Sequence, residues 1–563
     1  MRTFANAIAW NTALASFCLA GEQQCVVATV QPLATDAGVE AFEQGGNAVD
    51  AAIAAALTLG VVDNHNSGLG GGCFLLIRQP DGTLLAIDGR EQAPAAATSD
   101  MYVREGKVDT ELSTRGPLAV GVPGALAAYA LAIEKCGKLQ LSELVLPAAD
   151  IAERGFLIDR VYARKLASQA SELARFPGSR EVFLKADESP YEEGETLRQP
   201  DLARSYRQIA ELGPNWFYHG KFAQIVSEWM SANGGILTAK DFADYQPVER
   251  EPIVTTYRDY QIIGFPPPSS GGVHVAQILN ILECFELGDE YRRDPVQATH
   301  ITIEAMKLAF ADRAYWLGDP DYADVPRGLI DKGYARTLAK RIQPTRLSEV
   351  TSHGDPPRAQ EALFGRHTTH IAVADSEGYW VAITATVNTS FGSKVIVPGT
   401  GILLNNEMDD FSSQPGVPNS FNLIGAENNA IAPGKRPLSS MSPTIVLDRD
   451  GNPVMTVGAA GGPKIITQVL LAVIRKFDLG LPLAEAVAAP RFHHQWSPDS
   501  VLLEASVPEE ITAGLKRLGH KLEVVDQSGI TQAIAVEADG ALLGVHDPRI
   551  PGKVGRGVRK EDQ

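Results

Sequence analysis

The chain has 563 residues, 44% of them hydrophobic, and a formal net charge of −18. A chain of this length can bury one very large core or several ordinary ones. The excess of acidic side chains disfavours binding to nucleic acid and to anionic membranes. The five cysteines are scattered without a CxxC pair, so neither a disulfide framework nor a thiolate metal site is expected.

Residues 1–24 form a candidate leader. Arg2 precedes a mostly apolar stretch of small residues, and Ala20 followed by Gly21 offers a cleavage point, which is the outline of a secretory signal. Asn6 and Asn11 weaken the apolar stretch. We therefore expect a periplasmic or secreted protein, with a cytoplasmic one as the alternative, and no stable membrane span later in the chain.

The first regular elements are two helices and a hairpin. The segment "ATDAGVEAFEQGGN" has the pattern of a capped helix, and Asn47 then caps "AVDAAIAAALTLGVV", which is apolar on every side and should be buried. The glycine cluster "GLGGGC" leads into the strands "CFLLIR" and "TLLAIDGR". Cys73 stands where a dinucleotide-binding turn needs glycine, and the order is helix–glycine–strand. Close backbone packing is therefore the preferred interpretation of the cluster.

The rest of the chain predicts one large mixed unit. Residues 120–345 are largely helical in pattern, interrupted by the extended segment "GFPPPSSGGVHV". Strand patterns return after Thr368, followed by the helix "KIITQVLLAVIRKF". Hairpins at both ends with helices between them predict a single α+β unit in which helices cover sheets. A partly separate helical lobe in the middle is the alternative.

The second hairpin, "HTTHIAVADSEGYWVAITATVN", begins with polar residues. The turn from Asp375 to Gly378 predicts a register in which residue 368 faces 385, with Thr386 one step beyond. Threonine is also common in strands, so the two threonines have an ordinary explanation. His367 and His370 would point to opposite faces of a strand, and no metal site is expected there.

The chemical alternative makes Thr368 a nucleophile. A threonine hydroxyl is weak unless a base takes its proton, and the residue's own α-amine can do so once the chain is cut before it. Such an amine has a pKa of about 7.7–8.0, close to operating pH.

Charged candidates follow two other strands. Arg90, beside Glu91, is either a surface ion-pair residue or a bidentate carboxylate clamp. In "NNEMDDF", Glu407, Asp409 and Asp410 form either a solvated turn or a holder for a substrate ammonium. We find no aromatic-rich cleft signal that would support a glycosidase pair.

Two polar or glycine-rich junctions complete the candidates. Ser439 and Ser440 lie between prolines in "KRPLSSMSP", forming either a turn or a pair of donors for an anion. Gly461 and Gly462 end a strand just before a helix that starts at about Lys464. Backbone N–H groups at such a junction can form an oxyanion hole, although Gly-Gly loops are common.

Taken together, "TTHIAV", "TVNTSFGSK", "GILLNNEMDDF", "KRPLSSMSPTIV" and "GAAGGPKIIT" closely resemble the γ-glutamyltransferase family of N-terminal nucleophile hydrolases. Matches in the first half include "EQGGNAVDAA", "SGLGGG", "IDGREQAPAAA" and "PPPSSGGVH", so the resemblance spans about residues 27–550. It implies a four-layer αββα sandwich. It also implies autocleavage between His367 and Thr368, which gives a large subunit (25–367) and a small subunit (368–563) that form a heterodimer.

The resemblance implies a role for each candidate. Thr368 would be nucleophile and, through its amine, base, and Thr386 would hydrogen-bond it. The substrate α-carboxylate would be held by Arg90, Ser439 and Ser440, the α-amino group by Asn388, Glu407 and Asp410, and the oxyanion by Gly461 and Gly462. Phe421 stands where a lid tyrosine is usual, which leaves the tightness of lid closure open.

The implied reaction is γ-glutamyl transfer from glutathione or other γ-glutamyl compounds to water, an amino acid or a peptide, without a metal or organic cofactor. A related acylase acting on glutaryl or cephalosporin amides is one alternative. Its substrates lack the α-ammonium, so Glu407 and Asp410 favour γ-glutamyl compounds. Transfer of poly-γ-glutamate and an uncut γ-glutamyl-binding scaffold are the others.

Overall fold

The computed structural model describes residues 24–357, 370–414 and 416–558. Residues 1–23 of the expected leader lie outside the described residues, and so do His367 and Thr368. Within the described residues, no helix is both long and apolar enough to cross a membrane.

The strands are β1 (Gln24–Thr29), β2 (Gly72–Arg78), β3 (Leu84–Gly89), β4 (Val103–Arg104), β5 (Lys107–Val108), β6 (Phe156–Leu157), β7 (Thr196–Leu197), β8 (Val248–Arg250), β9 (Ile253–Tyr257), β10 (Tyr260–Gly264), β11 (His370–Asp375), β12 (Trp380–Thr386), β13 (Thr444–Leu447), β14 (Pro453–Ala460), β15 (Phe492–His493), β16 (Val501–Glu504), β17 (Leu522–Val525), β18 (Ile530–Val536), β19 (Leu542–Val545) and β20 (Lys553–Val558).

The α-helices are α1 (Pro32–Glu43), α2 (Ala48–Val62), α3 (Thr110–Thr114), α4 (Ala125–Cys136), α5 (Leu141–Arg154), α6 (Arg160–Leu173), α7 (Pro177–Phe183), α8 (Pro200–Leu212), α9 (Pro214–Tyr218), α10 (Lys221–Ala232), α11 (Ala239–Asp244), α12 (Ser270–Leu282), α13 (Leu287–Arg293), α14 (Pro295–Trp316), α15 (Lys332–Ala339), α16 (Lys464–Phe477), α17 (Leu483–Ala488) and α18 (Glu509–Arg517). Short 3-10 helices cover Pro117–Ala119, Arg327–Ile330, Glu407–Asp410 and Glu427–Asn429.

The architecture is the expected four-layer αββα sandwich. Among the described residues, one sheet has seven strands in the order β20-β1-β11-β12-β2-β3-β8, and the other has six in the order β19-β18-β14-β13-β10-β9. A core that includes Phe74, Phe265, Trp380 and Ile534 fills the space between the two sheets. The prediction of a single α+β unit with helices covering sheets is confirmed.

The helical middle of the chain is divided between the two outer layers. Residues of α4 to α11, such as Leu144 and Met230, share one core with Leu75 and Ile383 of the seven-stranded sheet. Residues of α12 to α15 share a second core with the six-stranded sheet. The middle therefore does not form a separate lobe.

Helix α2 is buried along its whole length, as its sequence predicts. Asn47 and Asp50 form a reciprocal capping box at its first turn. The Asp50 carboxylate also accepts backbone bonds from Lys138 and Leu139. Burial nevertheless raises its pKa, because these bonds only partly replace the lost hydration. The apolar faces of α2 connect the seven-stranded sheet to the outer helices.

The hairpin of β11 and β12 forms, but its predicted register is wrong by one residue. The ladder pairs His370 with Thr384. Gly378 adopts a φ of 99°, and the Asp375 N–H donates to the Tyr379 carbonyl at 3.1 Å. The connection is thus a three-residue loop with a left-handed glycine, instead of the two-residue turn from which the register was derived.

The glycine cluster packs directly against neighbouring backbone, which confirms the preferred interpretation. A Cβ on Gly70 would overlap the Leu403 carbonyl, and one on Gly71 would overlap the Thr386 carbonyl. A Cβ on Gly72 would overlap the Glu91 carboxylate. Only glycine permits this approach of the chain to the end of β12.

We expect Gly71→Ala to destabilise the protein, because the added methyl must displace the Thr386 carbonyl and overpacking costs about 1–3 kcal/mol. The measurement is the melting temperature of the variant beside wild type. Gly68→Ala is the matched control, since its Cβ would lie 3.6 Å from the Gly60 Cα, an ordinary contact. Equal melting temperatures for the two variants would contradict the packing argument.

Candidate active site

The starting end of β11 meets β14 across the gap between the sheets. His370 lies against Gly458, where a Cβ would overlap the imidazole ring. The ring Nδ1 is 3.2 Å from the Thr384 hydroxyl. Burial lowers the His370 pKa to about 3, so the ring is neutral. The strand that follows Thr368 in sequence therefore begins beside the strand that ends at Ala460.

Thr386 is the last residue of β12 and lies at the same edge. Its hydroxyl oxygen accepts the Asn388 N–H at 2.7 Å, which leaves the hydroxyl hydrogen available as a donor. Asn388 has a φ of 75°, and its side chain donates to the Asn406 carbonyl at 2.9 Å. This turn joins the end of β12 to the segment that carries the acidic candidates.

Gly461 and Gly462 connect β14 to α16. Their φ angles are 135° and 62°, a region that favours glycine. A Cβ on Gly462 would lie 2.8 Å from the Phe421 ring, so the ring covers this glycine closely. The pair precedes a helix of 14 residues, whose amino end favours negative charge. The geometry is suited to holding an oxyanion.

A cavity of about 610 Å³ lies over these residues. It brings together Asn388, Phe421 and the pair Gly461–Gly462 from three separate parts of the sequence. The described residues that line it are Asn66, Lys165, Asn388, Thr389, Ser390, Ser420, Phe421, Asn422, Ala460, Gly461, Gly462, Pro463, Lys464, His493, Gln495, Pro498, Ser500, Leu502, Glu523, Gly529 and Ile530.

Arg90 lies in a buried charge cluster together with Glu407 and Asp410. Its guanidinium forms an ion pair with Glu407 and another with Asp410 at 2.7 Å, and all three side chains are 0% exposed. Its Nε donates to the Pro437 carbonyl at 3.2 Å. Arg90 is thus not a surface residue, and the acidic segment, in which Asp409 is also buried, is not a solvated turn.

The cluster contains more acid than base. Glu91 is a third carboxyl group near the Arg90 guanidinium, at 3.4 Å. Burial raises the pKa of Glu91 to about 7 and raises that of Glu407 well above its usual value. With all three acids ionised, the Arg90 guanidinium alone could not neutralise them, and the raised pKa values of Glu91 and Glu407 mean that protonation relieves part of this excess. A cationic group that enters the cluster would lower these pKa values and favour the ionised acids.

Ser439 and Ser440 are fully buried beside the cluster. The Ser439 N–H donates to the Pro268 carbonyl at 3.0 Å, and the Ser270 N–H donates to the Ser439 carbonyl at 2.9 Å. Asn429 connects the two candidate segments, since its side chain donates to the Asp410 carbonyl at 2.7 Å and accepts the Leu438 N–H at 2.9 Å. The serines and the acids thus form one bonded unit.

Arg313 is a member of this region that the sequence interpretation missed. Its guanidinium donates to the hydroxyls of Ser270 and Ser440, at 3.1 and 3.4 Å. Burial lowers the Arg313 pKa to about 9, and the charge of Asp410 opposes this shift. The available signal was an arginine inside α14, a helix that is buried on all faces from Ala298 to Arg313.

The segment that carries Phe421 is held from two sides. The Ser420 N–H donates to Asp409 at 3.1 Å, and the Phe421 N–H donates to the Asn419 side chain at 3.0 Å. The Gln495 side chain donates to the Phe421 carbonyl at 3.2 Å. The ring is therefore anchored between the acidic segment and the segment that follows β15.

The cavity and the charge cluster are adjacent but separate. Arg90, Glu407, Asp410, Ser439 and Ser440 are not among the described residues that line the cavity. Thr386, also buried, lies behind the lining residue Asn388. Arg90 pairs directly with Glu407 and with Asp410, so these ion pairs fill the space between its guanidinium and the two carboxylates.

A group of potential metal ligands lies elsewhere, at His300, Glu304 and His520. The two imidazoles are hydrogen-bonded at 2.7 Å, from His300 Nδ1 to His520 Nε2. Two nitrogen ligands of one tetrahedral zinc ion would be about 3.3 Å apart, given bonds of roughly 2.0–2.1 Å. The present arrangement is therefore that of a hydrogen-bonded pair.

The family model described as Gamma-glutamyltranspeptidase matches residues 34–556. The chain is similar to the glutathione hydrolase proenzyme of Escherichia coli (strain K12), with 44% identity covering 94% of this chain and 90% of that protein. It is also similar to the acylase ACY 1 proenzyme of Pseudomonas sp. (strain SE83), with 38% identity covering 92% of this chain and 91% of that protein.

Solved structures of a cephalosporin acylase and of a gamma-glutamyltranspeptidase are also similar to this chain. The cephalosporin acylase from Bacillus halodurans matches with a TM-score of 0.84 and 29% identity, covering 98% of this chain and 99% of that chain. The gamma-glutamyltranspeptidase of Helicobacter pylori matches with a TM-score of 0.56 and 39% identity, covering 59% of this chain and 95% of that chain.

The elevated pKa of Glu91 predicts a pH-dependent stability. Folding raises this pKa from 4.5 to about 7, so the folded state binds more protons in that range and stability falls as the pH rises through it. We expect Glu91→Gln to raise the melting temperature at pH 8 by roughly 2 °C, corresponding to about 1 kcal/mol, and to change it less at pH 5.

The control is Glu111→Gln, which removes an exposed carboxylate that pairs with Arg115. Surface pairs of this kind contribute little, about 0–1 kcal/mol. A parallel pH dependence of melting in wild type and Glu91→Gln would contradict the buried-acid argument.

Proposed function

The chain belongs to the gamma-glutamyltranspeptidase family, and we propose that it cleaves γ-glutamyl amides such as glutathione with Thr368 as nucleophile. It is an enzyme of γ-glutamyl transfer with the fold of the N-terminal nucleophile hydrolases. The observation that carries the residue assignments is the acid-rich cluster around Arg90, next to the glycines at the edge of β14.

The cluster complements the α-carbon end of a γ-glutamyl group, which carries one carboxylate and one ammonium. Arg90, together with the hydroxyls of Ser439 and Ser440, offers donors for the carboxylate. Glu407 and Asp410 offer acceptors for the ammonium, and Asn388 would add its side chain. The excess of acid in the cluster favours a substrate that brings a cation.

Thr368 is two residues from His370 along the chain, and two extended residues span at most about 7 Å. This reach supports a position of the Thr368 hydroxyl near the edge at which Thr386, Gly461 and Gly462 lie. The Thr386 hydroxyl hydrogen would be donated to the nucleophilic oxygen and would orient it.

Catalysis would proceed in two acyl-transfer steps. The α-amine of Thr368 takes the hydroxyl proton while the oxygen attacks the γ-carbonyl carbon, and the N–H groups of Gly461 and Gly462 hold the oxyanion. The intermediate collapses to an ester, and the departing amine takes the proton. Water or an acceptor amine then attacks the ester, loses its proton to the α-amine, and regenerates Thr368.

Autoproteolysis before Thr368 would create the α-amine. The subunits would be residues 25–367 and 368–563, after removal of a leader at 1–24. Strands from both parts alternate in the seven-stranded sheet, where β11 and β12 lie between β1 and β2. The two parts would therefore stay together as one heterodimer after cleavage, without any linker.

Phe421 is proposed as the cover of the cavity, because its ring packs on Gly462 from an anchored segment. A phenyl ring lacks the hydroxyl through which a tyrosine could bond Asn388. Acceptor amines and water would therefore reach the ester through a cover held by packing and backbone bonds.

Intact mass under denaturing conditions tests the nucleophile. We expect wild type to give a fragment of residues 368–563 and a complementary larger fragment, and Thr368→Ala to remain one chain.

Export is proposed from the signal-like first 24 residues. A larger fragment that begins near Gly21 after expression in a bacterium supports it, and one that begins at Met1 opposes it.

The outcome that would overturn autocleavage is a wild-type protein that stays whole after long incubation. Thr369→Ala is the control, because it alters the neighbouring threonine and keeps the proposed nucleophile. Cleavage that continues in Thr368→Ala would assign the nucleophile to another residue.

An acylase acting on glutaryl amides is the second candidate, since proteins named acylases are among the relatives. Glutaryl compounds lack the α-ammonium that Asp410 would bind. We expect wild type to prefer γ-glutamyl-p-nitroanilide over glutaryl-p-nitroanilide, and Asp410→Asn to lower kcat/KM for the γ-glutamyl compound by roughly 100-fold, the value of about one or two charged hydrogen bonds.

Asp409→Asn is the matched control for substrate preference, because Asp409 bonds Ser113 and Ser420 instead of Arg90. The ratio of kcat/KM between the two anilides should stay close to the wild-type ratio in this control. A wild-type enzyme that prefers the glutaryl anilide would favour the acylase function.

A further inference from the structure

We propose that Lys165, with Asn66, forms a subsite for the carboxylate carried by the amine side of the substrate, that is, by the departing amino acid or peptide or by the acceptor. The inference rests on the proposed function and extends it to the other end of the scissile bond. The residues concerned lie in the segment "DNHNSG" and in helix α6. None of the catalytic roles proposed above is assigned to either segment.

Lys165 and Asn66 line the same cavity as Gly461 and Gly462. Both also line a smaller adjoining cavity, together with Ala460 and other residues. Ala460 directly precedes Gly461. The part of the cavity that Lys165 lines is therefore adjacent to the proposed oxyanion hole.

Asn66 is fixed to the backbone of the catalytic edge. Its carbonyl accepts the Val387 N–H at 3.0 Å, and the carbonyl of His65 accepts the Phe391 N–H at 2.9 Å. Val387 lies between Thr386 and Asn388, so the turn that carries Asn66 is one residue away from both. The position of Asn66 is therefore set by the same strand end that positions Thr386.

A chain of polar contacts holds the Lys165 ammonium. Its Nζ donates to the Asn66 side-chain oxygen at 2.8 Å, and the Asn66 amide nitrogen donates to Asp63 at 3.0 and 3.2 Å. Burial raises the Asp63 pKa to about 7. Burial also lowers the Lys165 pKa, and the charge of Asp63 opposes that shift. The ammonium has further N–H donors beyond the one that Asn66 accepts.

The cavity is cationic although the protein is strongly acidic. Among the described residues that line it, Lys165 and Lys464 are the basic side chains and Glu523 is the acidic one. Burial lowers the pKa of the lining residue His493 to about 3, so that ring is neutral. A positive cavity in a chain of net charge −18 attracts anionic groups selectively to this place.

The carboxylate on the amine side is the anionic group that remains to be recognised. The α-carboxylate of the γ-glutamyl group is assigned to Arg90. The amines released from γ-glutamyl peptides, and amino acids that accept the acyl group, carry a second carboxylate. Lys464 lies close to the glycines, with its Cε 3.7 Å from a Cβ position on Gly461. Lys165 lies at the boundary with the adjoining cavity, whose described lining also contains Asp63 and Asp159, so a departing carboxylate would meet its ammonium from the side of the larger cavity.

The experiment compares hydrolysis of γ-glutamylglycine with that of γ-glutamylglycinamide by the mature enzyme. These donors differ at the end of the departing group, which is a carboxylate in one and a neutral carboxamide in the other. We expect wild type to prefer the carboxylate, and Lys165→Gln to reduce the ratio of the two kcat/KM values about tenfold, the value of roughly one charge-assisted hydrogen bond. Lys165→Arg should restore part of the preference.

Arg164→Gln is the matched control, because it removes the same charge from the neighbouring, exposed position of α6. We expect its ratio to equal that of wild type. An equal fall of the kcat/KM ratio in Arg164→Gln would mean that the effect comes from long-range electrostatics, and it would overturn the subsite. An unchanged ratio in Lys165→Gln would do the same.

The wild-type enzyme alone already tests the proposal. Equal kcat/KM values for the two donors would overturn the subsite while leaving γ-glutamyl cleavage intact. If wild type cleaves neither donor although its chain is processed, the proposed function fails, and the subsite fails with it.

Discussion

The site depends on one constraint, which is that more acidic than basic side chains are buried around Arg90. Removing an ion from water costs several kcal/mol even after relaxation, and here Glu91, Glu407 and Asp410 are all buried around the Arg90 guanidinium. The raised pKa values of Glu91 and Glu407 reduce this cost, and the Pro437 carbonyl accepts a further N–H of Arg90. Segments far apart in sequence are therefore held at one point, because each supplies a charge or a partner that the others need.

The order of the strands has a comparable consequence for the whole molecule. In the seven-stranded sheet, β11 and β12 pair with β1 and β2, which come from the other side of the proposed cleavage point. A cut before Thr368 would break one peptide bond but no ladder between described strands. The cut would also leave the new amino terminus within two residues of the end of β11, so that one covalent change could create a base beside its hydroxyl.

Features with local causes could be predicted from the sequence. The buried helix α2, the glycine cluster and the hairpin of β11 and β12 each follow from the pattern of their own residues. The register of that hairpin could not, because the left-handed conformation of Gly378 changes the loop length. The place of Arg313 beside Ser440 depends on the packing of α14 against a distant segment, and the burial of Arg90 depends on the acids more than 300 residues away. Tertiary contacts of this kind leave no local pattern.

The two ends of the site have opposite electrostatic character, and this difference bears on substrate selection. The cluster around Arg90 is rich in acid, whereas the described lining of the cavity carries more base than acid. A substrate without an ammonium would leave the excess of buried acid without an added counter-charge, a penalty larger than the loss of one favourable contact. Rejection of glutaryl compounds would thus come from the groups left unpaired in the enzyme. A shared fold with acylases is compatible with this difference, because the selectivity lies in a few buried charges and the fold only positions them.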